Sequence, residues 1–136
     1  MELIYRGARD GCGSNIFHNK CDNQESTIFF CKNQKNNIFG EFSPFSWNTN
    51  TDYYEANSSF LYILTTIHNS EPLKFQNIKS HSIGHYSGYY IHFGSKDYDL
   101  HINNDYLNNN QSPSKLANYY QVYLKETLII IAYILD

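Results

Sequence analysis

The longest uninterrupted apolar run in the chain is only eight residues long and extends from Leu128 to Leu135. A helix that spans a membrane needs about 20 apolar residues, so this run predicts no membrane insertion. Eight residues do suit a strand that is buried on both faces. The next most continuous run, Phe60 to Leu64, predicts a central strand of the same kind. Short apolar runs separated by polar residues therefore favour a fold made of many short strands.

The amino-acid composition also favours strands over helices. The chain contains 13 Tyr and 9 Phe among 136 residues, whereas the strong helix formers Ala and Glu are scarce. This aromatic content excludes the usual disordered class, which is poor in aromatic residues. A formal charge of -3 without a basic run predicts no nucleic-acid partner. The length suits one domain, which we expect to occupy residues 1–136.

The cysteines predict free thiols in a reducing compartment. Cys12, Cys21 and Cys31 are an odd number and form no Cys-x-x-Cys pair, and the N-terminus has no signal-peptide core. Disulfide frameworks are rare under such conditions, so we expect a cytoplasmic protein. The wide spacing also makes a poor zinc site. A redox role for any of the three would require an exposed thiol of low pKa.

One short helix is predicted near the N-terminus. A strand over residues 3–5 is broken by the glycine-rich and charged residues 6–11. Ser14 is placed to cap a helix that runs to Cys21, because a serine oxygen accepts hydrogen bonds from unpaired N–H groups at a helix start. Phe17 lies four residues before Cys21, so both side chains are expected to face inward.

The rest of the chain reads as strands joined by turns. Residues 27–32 and 37–42 are predicted to form a hairpin. Residues 43–55, which include Trp47, are predicted to form a loop. In the strand over residues 98–102, Leu100 and Ile102 share one face. The predicted strands cover residues 27–32, 37–42, 60–64, 73–78, 89–94 and 98–102. This pattern predicts a mainly β (α+β) domain, an antiparallel β-sandwich with one or two short flanking helices.

Histidines and acidic residues offer a weak metal or catalytic hypothesis. The residues concerned are His81, His85, His92, His101, Asp97 and Asp99. Asp97, Asp99 and His101 alternate along a strand, but any solvated strand face looks the same, so we expect no metal site. The chain lacks a Gly-x-Ser-x-Gly elbow and a phosphate-binding glycine loop. We therefore predict no catalytic residues, no cofactor and no enzyme activity.

Aromatic residues offer an alternative of another class. Tyr86, Tyr89 and Tyr90 precede Phe93, and together they define an aromatic region that could bind a carbohydrate or another small ligand on a β-sandwich. Tyrosines in strands more often pack at the edge of a core with the hydroxyl in water. The numerous asparagines fall mostly in loops, where they are interpreted as turn residues.

An ordered series of short motifs is more specific than any of these patterns. It begins with Leu3-Ile4-Tyr5-Arg6-Gly7-Ala8-Arg9-Asp10-Gly11 and continues with Phe17-His18, Cys21-Asp22-Asn23, Ile38-Phe39-Gly40, Trp47, Phe60-Leu61, Phe93-Gly94 and Asp99-Leu100. The series resembles the TLDc domain family, in particular its protist type. The match is strongest over residues 3–102, and residues 115–136 form a divergent tail.

The resemblance implies a sandwich of two antiparallel sheets and a non-catalytic role in protein interaction. It also implies links to oxidative-stress resistance and to the peripheral subunits of the vacuolar proton pump (V-ATPase). Arg9, Asp10 and Asp99 are the candidate partner contacts, although Arg9 and Asp10 are expected mainly to lock the first loop. The structural motif residues are expected to be Gly7, Gly11, Gly40 and Gly94 at constrained backbone positions, and Phe17, Cys21, Phe39, Trp47, Phe60 and Phe93 in the core.

The sequence departs from the family pattern at both ends. It starts at the first motif, without the apolar helical stretch that usually precedes it, and Cys12 replaces the usual phenylalanine. The closing strand of the family alternates apolar residues with glutamates, whereas residues 128–135 are apolar throughout. A strand of this kind must be buried on both faces. We therefore expect the chain to be incomplete at one end or altered at the other.

Overall fold

The computed structural model describes residues 1–33, 36–50, 52–65, 71–76, 83–85, 87–93, 100–103 and 129–134. Within these residues the chain forms two short helices, α1 (Gly7–Asp10) and α2 (Ser14–Cys21), and ten strands. The strands are β1 (Glu2–Arg6), β2 (Thr27–Lys32), β3 (Ile38–Ser43), β4 (Asp52–Tyr54), β5 (Phe60–Thr65), β6 (Leu73–Gln76), β7 (Ile83–His85), β8 (Tyr89–Phe93), β9 (Leu100–Asn103) and β10 (Ile129–Ile134). Neither helix has the length and apolar character that a membrane crossing requires.

The strands form two antiparallel sheets. The larger sheet has the order β1-β10-β2-β3-β5-β6, and the smaller has the order β4-β7-β8-β9. Both contribute side chains to one buried hydrophobic cluster, which includes Phe29 and Phe39 from the larger sheet and Ile83, Phe93 and Leu100 from the smaller. The predicted mainly β, two-sheet class is confirmed.

Strand β10 occupies the interior of the larger sheet, between β1 and β2. Its register places Ala132 opposite Tyr5 on one side and Phe29 on the other, and all three side chains are fully buried. Tyr133 faces the opposite side of the sheet, where its ring meets Phe30 edge-on at 5.9 Å between centroids. The apolar tail is therefore a sheet-forming strand, as its run of apolar residues predicts.

The hairpin of β2 and β3 has a buried face that is not wholly apolar. Phe29 and Cys31 of β2 are fully buried, as is Glu41 of β3, which pairs with Phe29. Neither oxygen of the Glu41 carboxyl group makes a hydrogen bond in the described part of the chain. Burial raises the pKa of Glu41 well above its ordinary value, because loss of solvent disfavours the charged carboxylate.

The predicted break after β1 contains the single helical turn α1, in which the Gly11 N–H donates to the Gly7 carbonyl. Two local predictions are wrong. Residues 43–55 are not all loop, because Asp52–Tyr54 form β4 and pair with β7. The N-cap of α2 is Gly13, while the Ser14 hydroxyl donates to the carbonyl of Ser87 at 3.1 Å.

Phe60 is not in the core, contrary to the prediction. It lies on the outer face of the larger sheet, where its ring stacks on Phe42 at 5.2 Å and the Lys74 ammonium sits 4.0 Å above it. A two-residue alternation along β5 places Phe60 and Tyr62 on this outer face, while Leu61 and Ile63 enter the hydrophobic cluster. The apolar run of β5 thus divides between two faces.

Candidate functional site

A cleft of about 450 Å³ opens beside α2. Three separate chain segments form its wall: α2 with the turn after it, the loop that follows Trp47, and the turn before β8. The lining residues are Asn15, His18, Asn19, Asp22, Asn23, Thr49 and Ser87. Every one of them carries a polar side chain. The volume falls in the range of small-ligand pockets, which are usually more apolar than this cleft.

Helix α2 places its polar residues on one face. Asn15, His18, Asn19 and Asp22 are separated by three or four residues, and side chains at this spacing lie on the same side of a helix. Phe17 and Cys21 occupy the other side and are fully buried, as the sequence predicts. Packing of the apolar face therefore turns the polar face toward the cleft.

The most enclosed group of the cleft is the pair formed by His18 and Asp22. His18 Nδ1 lies 2.8 Å from Asp22 Oδ1, and the two side chains are 5% and 15% exposed. A carboxylate oxygen only accepts hydrogen bonds, so Nδ1 carries the proton and donates. A buried histidine that donates to a carboxylate is held in one tautomer and one orientation.

Hydrogen bonds between the three segments hold the cleft in shape. The Ser14 hydroxyl ties the start of α2 to the carbonyl of Ser87 at 3.1 Å. The Asn23 N–H donates to the carbonyl of Trp47 at 3.0 Å, which ties the end of α2 to the loop that carries Thr49. The walls are therefore joined at both ends of the helix.

Trp47 anchors the same loop to the core. Its indole Nε1–H donates to the Thr27 hydroxyl at 2.9 Å, and its ring stacks on His85 at 4.9 Å between centroids. It also meets Phe17 and Phe29 edge-on. The His85 Nδ1 atom in turn accepts the Asn48 N–H at 3.1 Å. The loop that carries Thr49 is thus anchored to a buried aromatic cluster.

Of the candidate partner contacts, Arg9 and Asp10 lie together on α1, and Asp99 is outside the described residues. Arg9 Nε and Nη2 each donate to Asp10 at 2.7 Å, and the Arg6 N–H donates to the same carboxylate at 2.9 Å. Lys20 on α2 lies 3.7 Å from it. The Arg9 guanidinium holds the pKa of Asp10 well below its ordinary value. Asp10 therefore locks the first turn, while half of the Arg9 side chain stays exposed.

The structural motif residues lie mostly where the sequence places them. Phe17, Cys21, Phe39, Trp47 and Phe93 are buried. Gly11 has a φ of 106°, in the region that favours glycine, and its carbonyl accepts the Tyr5 hydroxyl. Gly7 is buried and starts α1. Gly40 is buried in β3, where it pairs with Tyr62 of β5. Gly94 lies outside the described residues.

The metal and catalytic hypotheses gain no support from the described residues. No group of three or more His, Cys, Asp or Glu side chains among them is placed to hold a metal ion. His85 and His92 are buried, whereas His81, Asp97, Asp99 and the His101 side chain lie outside the description. Burial raises the pKa of the Cys21 and Cys31 thiols, which removes them as nucleophiles.

The alternative ligand-binding region over Tyr86 to Phe93 is described only in part. Phe93 is 3% exposed and belongs to the core, so its ring offers no surface for a sugar. Tyr86 and the side chains of Tyr89 and Tyr90 lie outside the description.

The sequence interpretation missed the cleft because it treated asparagine as a turn residue. A signal was present, since Asn15, Asn19 and Asn23 recur every four residues. His18 and Asp22 share that spacing, which brings side chains together on a helix. Thr49 and Ser87 carried no comparable signal, because only the fold brings them near α2.

The architecture and the position of the motifs define a β-rich domain of two antiparallel sheets with α2 at its side. Residues 1–131 match the model of the TLDc domain family, so the chain belongs to this family. A comparison with curated protein sequences finds no significant match.

Proposed function

We propose that this chain is a non-catalytic protein-interaction domain. Membership of the TLDc family over residues 1–131 is the observation that carries the proposal. The described residues support it, because the Cys21 and Cys31 thiols and the His85 ring are buried in the core. A fold of this kind presents rigid loops and turns to a partner.

We further propose that the partner is a peripheral subunit of the vacuolar proton pump, and that binding contributes to oxidative-stress resistance. Both steps rest on family analogy. The cytoplasmic location belongs to the same proposal, since peripheral pump subunits face the cytoplasm. It is supported by the three cysteines, all of which are free thiols.

Arg9 is the surface residue that we propose to contact the partner. Its side chain is 49% exposed and is held by Asp10 on a turn that packs against β1 and β10. A preorganised side chain loses less conformational entropy on binding than a mobile one. Asp10 positions Arg9 and is itself mostly covered, so its role in binding is indirect.

A direct binding measurement tests the proposal. The chain is immobilised and exposed to the purified peripheral complex of the pump, with surface plasmon resonance as the readout. We expect saturable binding that Arg9→Ala weakens mainly through the association rate, because exposed interface charges steer encounter. Arg6→Ala, which removes an exposed arginine from β1, is the matched control and should bind like the wild type. Absence of binding by the wild-type chain would refute the proposed partner.

A further inference from the structure

The asparagines of the cleft are spaced like the peptide groups of an extended chain. One helical step from Asn15 to Asn19 covers four residues, or about 6 Å along the helix axis. An extended polypeptide repeats the same orientation every two residues, or about 6.7 Å. Both asparagines are exposed at the cleft wall. Asn15 and Asn19 can therefore meet every second peptide group of one extended strand, that is, peptide groups that face the same way.

An asparagine side chain is suited to such a partner because its amide repeats the chemistry of the backbone. It offers two N–H donors and one carbonyl acceptor, so it can pair with a peptide group in either direction. Asn23, in the turn after α2, also lines the cleft. The described lining therefore contains three amides, with Thr49 and Ser87 supplying hydroxyl groups.

The charge of the lining indicates which side chain such a segment would carry. Asp22 is an acidic residue of the lining, and the described lining residues include no lysine or arginine. Asp22 Oδ1 accepts from His18, and its second oxygen makes no hydrogen bond in the described part of the chain. A cationic side chain complements this carboxylate, whereas an anionic ligand would be repelled.

A small polyol is less well matched to the same residues. Sugar sites combine hydrogen-bonding groups with an aromatic surface, and none of the described residues that line this cleft is aromatic. The open shape of the cleft and the amides along one wall suit an extended polypeptide segment that passes through the cleft.

We propose that the cleft beside α2 binds an extended segment of a partner protein through its main chain, with a lysine or arginine of that segment opposite Asp22. The inference rests on the proposed function of protein binding and names the chemistry of the recognised segment. The cleft needs little reorganisation, since Ser14 and Asn23 already fix both ends of α2. A preformed site of this kind reduces the entropic cost of binding.

Two blocked peptides that differ in one residue test the proposal. The probes are acetyl-Gly-Ser-Lys-Ser-Gly-amide and its glutamate counterpart, titrated into the full ¹⁵N-labelled chain and followed by NMR. We expect the lysine peptide to shift the side-chain amide signals of Asn15 and Asn19 saturably. The glutamate peptide should bind at least about tenfold more weakly, since a like charge opposes Asp22. Trehalose, the polyol probe, should cause no shift.

Variants of the cleft distinguish its two kinds of contact. Asn15→Ala with Asn19→Ala should weaken the lysine peptide about tenfold, which is the combined effect of two lost hydrogen bonds. Alanine favours helix more than asparagine, so α2 should persist, as circular dichroism would verify. Asp22→Asn should remove the preference for lysine over glutamate. Asn57→Ala, at an exposed turn outside the lining, is the matched control and should leave binding unchanged.

Several outcomes would overturn the inference. A saturable shift with trehalose and none with the peptides would make the cleft a polyol site, and equal binding of both peptides would remove the role of Asp22. The pump experiment fails separately: loss of pump binding with peptide binding intact refutes only the proposed partner. Pump binding by the wild type without any peptide response refutes the cleft and leaves the proposed function standing.

Discussion

The hydroxyl group of Tyr62 on β5 reaches across β3 and donates a 2.6 Å hydrogen bond to the backbone carbonyl of Phe29 on β2. The residue it crosses is Gly40, which pairs with Tyr62 in the sheet. Only a residue without a side chain leaves room for this contact. The bond joins strands that are not neighbours and fixes the outer face of the larger sheet.

Gly40→Ala should therefore be strongly destabilising. A Cβ atom at this position would overlap the Phe29 carbonyl and approach the Tyr62 hydroxyl to 2.5 Å. Overpacking of a tight site costs about 1–3 kcal/mol, and we expect the upper part of this range because the obstacle is backbone. Urea unfolding measures the loss. Gly88→Ala is the matched control, since a Cβ there meets nothing within 4 Å, and equal losses in both variants would contradict the explanation.

Glu41 should make the stability of the protein fall as the pH rises. Burial raises the pKa of Glu41 in the folded state above its ordinary value of 4.5, so the folded form retains a proton that the unfolded form releases. The contribution of Glu41 to the free energy of unfolding is complete below pH 4.5. Above pH 4.5 it declines by up to about 1.4 kcal/mol per pH unit, until the pH reaches the pKa of Glu41 in the folded state.

Urea unfolding of the Glu41→Gln variant at several pH values between 5 and 8 checks this expectation. The variant carries no ionisable group at position 41, so its stability should depend less on pH than that of the wild type. Glu25→Gln makes the same chemical change at an exposed position and should follow the wild type. Parallel curves for the wild type and Glu41→Gln would show that Glu41 does not titrate differently in the two states.

Asp10 should have the opposite pH dependence. The hydrogen bonds from Arg9, with a further contribution from the Arg6 N–H, hold the pKa of Asp10 below its ordinary value of 3.8. The contribution of Asp10 to the free energy of unfolding is therefore complete above pH 3.8 and is lost as the pH falls below that value. Asp10→Asn should lower the melting temperature near pH 6, and the difference from the wild type should shrink toward pH 2. Glu55→Gln, at an exposed position, serves as the control, and a constant difference at every pH would argue against the ion pair.

The cysteines should differ sharply in reactivity. Cys21 and Cys31 are fully buried, and burial raises the pKa of both thiols, whereas Cys12 is partly exposed. An aromatic disulfide reagent should therefore modify one thiol in the folded chain and three in urea, as measured by absorbance. Cys12→Ser should abolish the reaction of the folded chain. Rapid modification of that variant before unfolding would mean that a buried thiol becomes accessible.

Local periodicity predicted the elements of this fold well where neighbouring residues decide the structure. Phe17 and Cys21 were assigned to the buried face of α2 from their four-residue spacing alone, and the alternation in β9 placed Leu100 and Ile102 on one face, where both are buried. Strand β4 was missed because three residues are too short for a periodic signal. Its pairing with β7 is a contact between distant segments, which no local pattern contains.

The same distinction applies to the site. Phe60 was assigned to the core because its run is apolar, but an apolar outer face on the sheet gives the same signal. The four-residue spacing of Asn15 and Asn19 can be read from the sequence. The cleft that they line also needs Thr49 and Ser87, and only the fold brings those two residues near α2. Residue type predicts what a side chain can bind, whereas the fold decides which side chains act together.

The placement of β10 between β1 and β2 has a consequence for the synthesis of the chain. A ribosome makes β1 (Glu2–Arg6) long before β10 (Ile129–Ile134), so β1 must wait for all the other described strands before its partner in the sheet exists. During that interval β2 carries an unpaired edge, which is a site for association between nascent chains. Contacts that join residues so far apart in sequence also slow folding. The yield of folded domain should therefore depend on the time that the ribosome takes between β1 and β10.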